Sequence, residues 1–202
     1  MIQMNRKVII FLRHGQSLTN ANRILSSAID GYPLTELGRQ QAEEAAKSLA
    51  ALPNIDCIYT SPVLRALNTA SIVGQAIGMA PVKNDELKER GQGILEGKNI
   101  PDYSEWRFDP SNQLEPWEDL KTRMFSFMKG AKGNVIVAVS HADPIAAACD
   151  SVDGKGESEN AQARPANCHF SIIDFSSKEV IAKNADAMHQ SLINLINNIQ
   201  NK

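Results

Sequence analysis

The sequence predicts an α/β protein: a three-layer α/β/α arrangement around a mostly parallel, mixed sheet. Three observations carry that expectation. Short apolar runs rich in β-branched residues recur at Val8–Leu12, Ile55–Tyr59 and Val135–Val139, as in strands buried on both faces. Each run ends in a polar cluster that reads as a loop. Stretches with helical apolar spacing separate the runs, so successive strands can lie parallel and bring their carboxyl ends to one rim.

The first run leads into Arg13-His14-Gly15-Gln16-Ser17-Leu18-Thr19-Asn20. That is the carboxyl end of a strand, where open α/β sheets place their ligand crevices. Residues 19–33 are rich in Asn, Ser, Asp and Gly and form a loop. Thr35 is a helix N-cap with Glu36 in the first turn, and Leu37, Ala42, Ala45, Ala46, Leu49 and Leu52 mark the buried face. After the second strand, Ser61-Pro62 predicts a helix from Pro62 to Ile77 that closes at Gly78, with Arg65 in its first turn. Val82 begins a short third strand. Residues 83–97 form a charged, glycine-rich loop holding Glu86, Glu89 and Glu96. Residues 99–114 show no period and carry Tyr103, Trp106 and Phe108, so an insertion at about 98–115 is expected to pack over one end of the sheet.

A helix is predicted from Glu115 to Lys129. The strand Asn134–Val139 ends at Ser140-His141-Ala142-Asp143-Pro144, where Asp143 and Pro144 predict a cap and a helix from Pro144 to Asp150. Residues 151–166 are polar and read as a mobile loop. Cys168–Phe175 reads as a strand that pairs with Lys178–Ala182 in a hairpin. Ala185–Gln200 carries a helical stripe through Met188, Leu192, Leu195, Ile196 and Ile199.

At 202 residues the chain is expected to form one domain, 1–202, with an ordinary globular composition of 43% hydrophobic and 22% charged residues. A net charge of −2 supplies no basic field for nucleic acid or for an anionic membrane. Cys57, Cys149 and Cys168 are odd in number and contain no CxxC pair, which argues against a disulfide framework or a zinc site and fits a reducing, cytoplasmic compartment. No apolar run is long enough for a signal-peptide core or a membrane span.

Arg13, His14, Arg65 and His141 therefore converge on one predicted rim. Guanidinium groups bind phosphate oxygens through bidentate, permanently charged bonds, and a neutral imidazole is a nucleophile near pH 7. The residues also resemble the histidine phosphatase superfamily, the phosphoglycerate-mutase-like group. Arg13-His14-Gly15-Gln16-Ser17-x-x-Asn20 is similar to its RHG(E/Q)(T/S)xxN signature. Similar matches are Asp30-Gly31-Tyr32-Pro33-Leu34-Thr35-Glu36-Leu37-Gly38 with Gln41-Ala42, and Ser61-Pro62-x-x-Arg65-Ala66 with Thr69-Ala70. Leu87-Lys88-Glu89-Arg90-x-x-Gly93-x-Leu95-Glu96-Gly97 and Ser140-His141 complete five motifs in order.

The resemblance implies a phosphoglycerate-mutase-like fold and a set of roles. His14 would carry a phosphohistidine. Arg13, Arg65 and His141 would hold the phosphoryl group, and Asn20 and Ser17 would line its site. Glu89 would protonate the leaving alkoxide and then serve as base for water. No metal or cofactor is required, because fixed cations stabilise the charge in transfer. The chain departs from the pattern after His141, where many members have Gly-Gly. Asp143 stands there instead, as an alternative acid or simply as a helix cap. Leu95 replaces an aromatic common in the group, and Glu115-Pro116 lacks the Gly and Ser of a similar helix start. Glu96 reads as a structural hydrogen-bonding residue, and His169 and His189 as incidental.

The cover between Glu89 and His141 is shorter than in glycolytic mutases, which favours an open pocket with water as acceptor. The expected activity is hydrolysis of a small phosphorylated metabolite. The alternatives are a mutase-like phosphotransferase and, from a different class, a non-catalytic phosphate-binding or interaction domain. The partners expected are a small phosphoester and, for self-association, a homodimer.

Overall fold

The computed structural model describes residues 6–52, 54–159, 164–186, 193–194 and 196–198. Six strands form one sheet: β1 (Val8–Arg13), β2 (Cys57–Thr60), β3 (Val82–Lys83), β4 (Val135–Ser140), β5 (Phe170–Asp174) and β6 (Glu179–Ala185), in the order β3-β2-β4-β1-β5-β6. The four on the β3 side run parallel, while β5 pairs antiparallel with both β1 and β6. The mixed, mostly parallel α/β sheet expected from the apolar runs is thus present.

Two cores explain why β1 and β4 read as continuous apolar runs. Val8, Ile10, Leu12, Val135, Val137 and Val139 face α2 (Glu36–Ala50) and α3 (Leu64–Ile77). Ile9, Phe11, Ile136 and Ala138 face α4 (Trp117–Gly130) and α5 (Ala142–Asp153). A strand covered on both faces needs apolar side chains at every position rather than at alternate ones. Two further helices are single turns, α1 (Leu18–Ala21) and α6 (Gly156–Glu159).

The sheet order also fixes where a ligand can enter. The connection leaving β1 passes to α2 on one face, and α5 follows β4 on the other. Adjacent parallel strands whose connections part to opposite faces leave a crevice beyond their carboxyl ends. Arg13 and Ser140 are register partners at that edge, and His14 N–H donates to the Ser140 carbonyl at 3.0 Å.

Several boundaries differ from the sequence expectations. The Ser61-Pro62 pair does not open α3, which begins at Leu64; the Ser61 hydroxyl accepts from Val63 N–H and also meets His141. Helix α5 starts at Ala142 with His141 at the N-cap, so Asp143 lies inside the first turn instead of capping it. It runs on to Asp153, into the stretch expected to be a loop, and is followed by α6. Helix α4 starts at Trp117, because Glu115 instead binds the Gly91 N–H and the Arg123 guanidinium. Thr35 does cap α2, accepting from Gly38 N–H at 3.0 Å. The hairpin of β5 and β6 is present. Of the expected C-terminal stripe, Met188, Leu192, Leu195 and Ile199 lie outside the described residues, as does His189; Ile196 is buried in the first core.

The loop after β1 is locked to the start of α2 by two glycines. A Cβ on Gly15 would overlap the Gly38 carbonyl oxygen, and one on Gly38 would overlap the Gln16 carbonyl oxygen. Backbone meets backbone there, so nothing can swing aside. Gly38→Ala is expected to lose about 3 kcal/mol or more of stability, as for other overpacked sites without a flexible neighbour. A urea melt with unchanged midpoint would refute this.

Candidate active site

Strand ends bring His14, Arg65, Glu89 and His141 together. The His14 ring is buried, with Nδ1 2.7 Å from the Gly15 carbonyl and Nε2 3.1 Å from Arg65 Nε. The carbonyl can only accept and the guanidinium can only donate. Nδ1 therefore carries the proton, and Nε2 presents its lone pair. Burial, then the Arg65 and Arg13 charges, hold the His14 pKa well below its ordinary value, so the ring is neutral. An imidazole in this state is a competent nucleophile at Nε2.

The His141 ring stands edge-on to His14, with centroids 5.1 Å apart. Its Nε2 is 2.9 Å from the Ser61 hydroxyl, and its buried Nδ1 has no hydrogen-bond partner. Burial, followed by the Arg65 charge, holds this ring neutral too. Arg65 donates through Nη2 to the Ser26 carbonyl at 2.8 Å, while its Nη1 is buried and unpartnered. Arg13 Nη1 donates to the Pro165 carbonyl at 2.9 Å, and its Nε is likewise unpartnered.

A cavity of about 310 Å³ opens here, lined by Arg13, His14, Asn20, Arg65, Glu89 and Asp143, among others. Arg107 also lines it, stacked on the buried Trp106 ring at 4.1 Å, with Nε buried and unpartnered. Buried donors are almost always paired. Of the five buried side-chain atoms without partners among the described residues, four are nitrogens in or beside this cavity. Such a set accommodates an anion rich in acceptor oxygens.

Glu89 Oε2 lies 3.8 Å from His141 Nδ1. Burial first, and the Asp143 charge second, push its carboxyl up to about 7, against the pull of Arg65, the Arg90 N–H and Arg13. Asp143 behaves oppositely. Burial alone would raise it, but Arg164, Arg107 and Arg90 bring its carboxyl below the ordinary value. Arg164 Nε donates to Asp143 Oδ1 at 2.5 Å, and both Arg164 and Arg90 bind Glu157 and stack toward Trp117. Two carboxyls on one cavity are thus driven apart, one protonatable near neutrality and the other held ionised.

Ser17 is placed differently from the expectation. It does not line the cavity: fully buried, it caps α1 and bonds the Thr19 hydroxyl and Asn20 Oδ1. Of the insertion's aromatics, Trp106 reaches the cavity, whereas Tyr103 and Phe108 are exposed. Glu96 accepts from Ser26 and Ser27, the structural part expected of it. Sequence reasoning missed Arg107 and Asn167, which lie in segments without period or motif, and Gln92, an unspecified position within the Leu87–Gly97 motif. Among the described residues no group of three or more His, Cys, Asp or Glu could hold a metal ion, and no helix is long and apolar enough to cross a membrane.

This fold is that of a known class. The model of the histidine phosphatase superfamily, branch 1, matches residues 9–186, and the chain belongs to that family. Within it, the chain is 30% identical over 199 residues to the 2,3-bisphosphoglycerate-dependent phosphoglycerate mutase of Thermoplasma acidophilum, covering 95% of this chain and 98% of that one. The fold is shared with the mycobacterial glucosyl-3-phosphoglycerate phosphatase (TM-score 0.74, 22% identity, 89% of this chain and 99% of that one). It is shared equally with the phosphoserine phosphatase of Entamoeba histolytica (TM-score 0.75, 22% identity, 92% and 99%).

Proposed function

We propose that the protein is a phosphomonoester hydrolase that works through a phosphohistidine at His14 on a small phosphorylated metabolite. The observation that carries this reading is the neutral His14 ring, its Nε2 lone pair set among unpartnered donors of Arg13 and Arg65, with the His141 ring beside it. Nε2 attacks phosphorus as the bond to the ester oxygen breaks. The alkoxide takes a proton from the Glu89 carboxyl. Water then gives its proton to the Glu89 carboxylate, attacks phosphorus, and releases the imidazole. Arg65 Nε, which occupies the lone pair in the free protein, turns to a phosphoryl oxygen when substrate arrives. Arg107 lies further along the same cavity wall and orients the rest of the substrate.

Steady phosphate release from p-nitrophenyl phosphate tests the reading; no turnover with any phosphoester by folded protein would favour a binding domain instead. The Thermoplasma mutase at 30% identity favours a second reading, transfer to another hydroxyl of the substrate. Phosphoryl exchange between positions of phosphoglycerate that outpaces hydrolysis would establish it.

Asp143 provides a check on the assignment of the acid. Asp143→Asn is expected to leave turnover at pH 6 within about tenfold of wild type, since the group holds Arg164 and not a proton. It should lower the Glu89 pKa, because a neighbouring negative charge is removed. Stability should fall by about 2 kcal/mol, as Arg164 and Arg90 lose a buried counter-charge. A turnover loss as deep as that of Glu89→Gln would place the acid at Asp143.

A further inference from the structure

Residues 164–168 form a strap across the back of the cavity. Arg164 binds Asp143, the Pro165 carbonyl accepts from Arg13, and Cys168 N–H donates to the Arg13 carbonyl at 3.1 Å. Asn167, between them, lines the cavity. Its Nδ2 donates to the His14 carbonyl at 3.0 Å and to Asn20 Oδ1 at 3.2 Å. We propose that Asn167 is a positioning residue that fixes the Asn20 amide with its N–H groups toward the phosphoryl site. The proposal rests on the phosphoryl site being where the proposed function puts it, but not on hydrolysis.

The argument is one of donors and acceptors. Asn20 Oδ1 also accepts from the Ser17 N–H and the Ser17 hydroxyl, at 3.0 Å each. A carbonyl oxygen has two lone pairs, and three donors here compete for them. Turned by half a revolution, the Asn20 amide would set its NH₂ group against the Ser17 N–H and the Asn167 NH₂, neither of which can accept. The amide therefore keeps its oxygen inward, and its hydrogens are what remain for the cavity that Asn20 lines. An anion needs a donor at that place, since the opposite orientation would point oxygen at oxygen. Asn167 supplies one of the two contacts that cannot reverse. The other hydrogen, on the His14 carbonyl, ties this arrangement to the backbone of the imidazole it serves.

Binding of inorganic phosphate and of orthovanadate, followed by calorimetry on the whole chain, tests this without turnover. Asn167→Ala is expected to weaken both about five- to tenfold, as expected for loss of one well-placed hydrogen bond to a charged ligand. Asn20→Ala should do the same, and the double variant should bind no more weakly than Asn20→Ala alone. Asn167→Gln, which keeps an NH₂ group, should recover part of the loss. Unchanged affinity in Asn167→Ala, or losses that multiply in the double variant, would overturn the proposal. A merely structural part for Asn167 would lower the melting temperature and leave the two losses independent. If wild-type protein binds phosphate yet hydrolyses nothing, the hydrolase reading fails while this one is still decided by the cycle.

Discussion

His14→Ala is expected to abolish phosphate release, with a loss of about 10⁴-fold or more, because removal of a nucleophile leaves only binding and charge stabilisation. The fold should survive. The ring stands at the cavity floor, so its removal enlarges a polar space that water can fill rather than opening a dry void in either core. Inorganic phosphate should still bind, since Arg13, Arg65, Arg107 and His141 are untouched. Phosphate release by the variant within tenfold of wild type, at equal melting temperature, would remove His14 from the chemistry. Acid-labile phosphate on the wild-type chain after rapid quenching, absent from the variant, is the complementary measurement.

Glu89→Gln is the second large effect. A positioned acid contributes about 10²–10⁴-fold, and the leaving alkoxide needs one. With its carboxyl raised to about 7, Glu89 is protonated in the lower part of the working range and ionised above it. The phosphorylation step, read as kcat/KM, should therefore fall as pH rises through about 7. In Glu89→Gln that fall should vanish, and phosphohistidine should accumulate, since the base for the second step has gone too. A variant that keeps the fall above pH 7 would assign it to another group.

The same shift has a thermodynamic counterpart. A carboxyl whose folded pKa is raised from 4.5 to about 7 binds its proton more tightly in the folded state. Its contribution is complete below 4.5 and is lost as pH rises through 7. Above pH 8, Glu89→Gln should then be the more stable protein, by about 2–3 kcal/mol. His14 and His141 act in the opposite sense. Their depressed pKa values stabilise the fold above about 6.5, an advantage that fades as pH falls.

What the sequence made legible was what local chemistry controls. Buried strands announce themselves through unbroken β-branched runs, and β1 and β4 are the clearest because both faces are covered. Arg13, His14, Arg65, Glu89 and His141 could be placed on one rim because parallel strands put all their carboxyl ends on the same side. The helix starts at Ser61-Pro62 and Asp143-Pro144 were misplaced for one shared reason. The capping hydroxyl of Ser61 is engaged by His141, which has itself taken the N-cap of α5, so tertiary contacts between the two loops override the local capping rule. Ser17, expected beside the phosphoryl group, bonds Asn20 and Thr19 instead of lining the cavity, because a motif position does not say whether a side chain meets the cavity or the residue that lines it. Asn167 and Arg164 lay beyond local reasoning altogether: from a segment without period, Asn167 reaches across most of the chain to His14, and Arg164 reaches back past a whole helix to Asp143.

The direct bond between His14 N–H and the Ser140 carbonyl makes the two imidazoles a property of the sheet itself. Adjacent strands sit about 4.8 Å apart, and the two ring centroids are 5.1 Å apart. The rings thus stand about one strand spacing apart, on neighbouring strand ends. Residues 98–115, which carry Trp106 and Arg107 to the cavity, are tied to the rest of the molecule at both ends: Leu25 N–H donates to the Lys98 carbonyl and Ile100 N–H to the Arg23 carbonyl, while Glu115 binds Gly91 and Arg123. Substitutions between those two ends, at Trp106 or Arg107, reshape the cavity wall without touching the paired strand ends that carry the imidazoles.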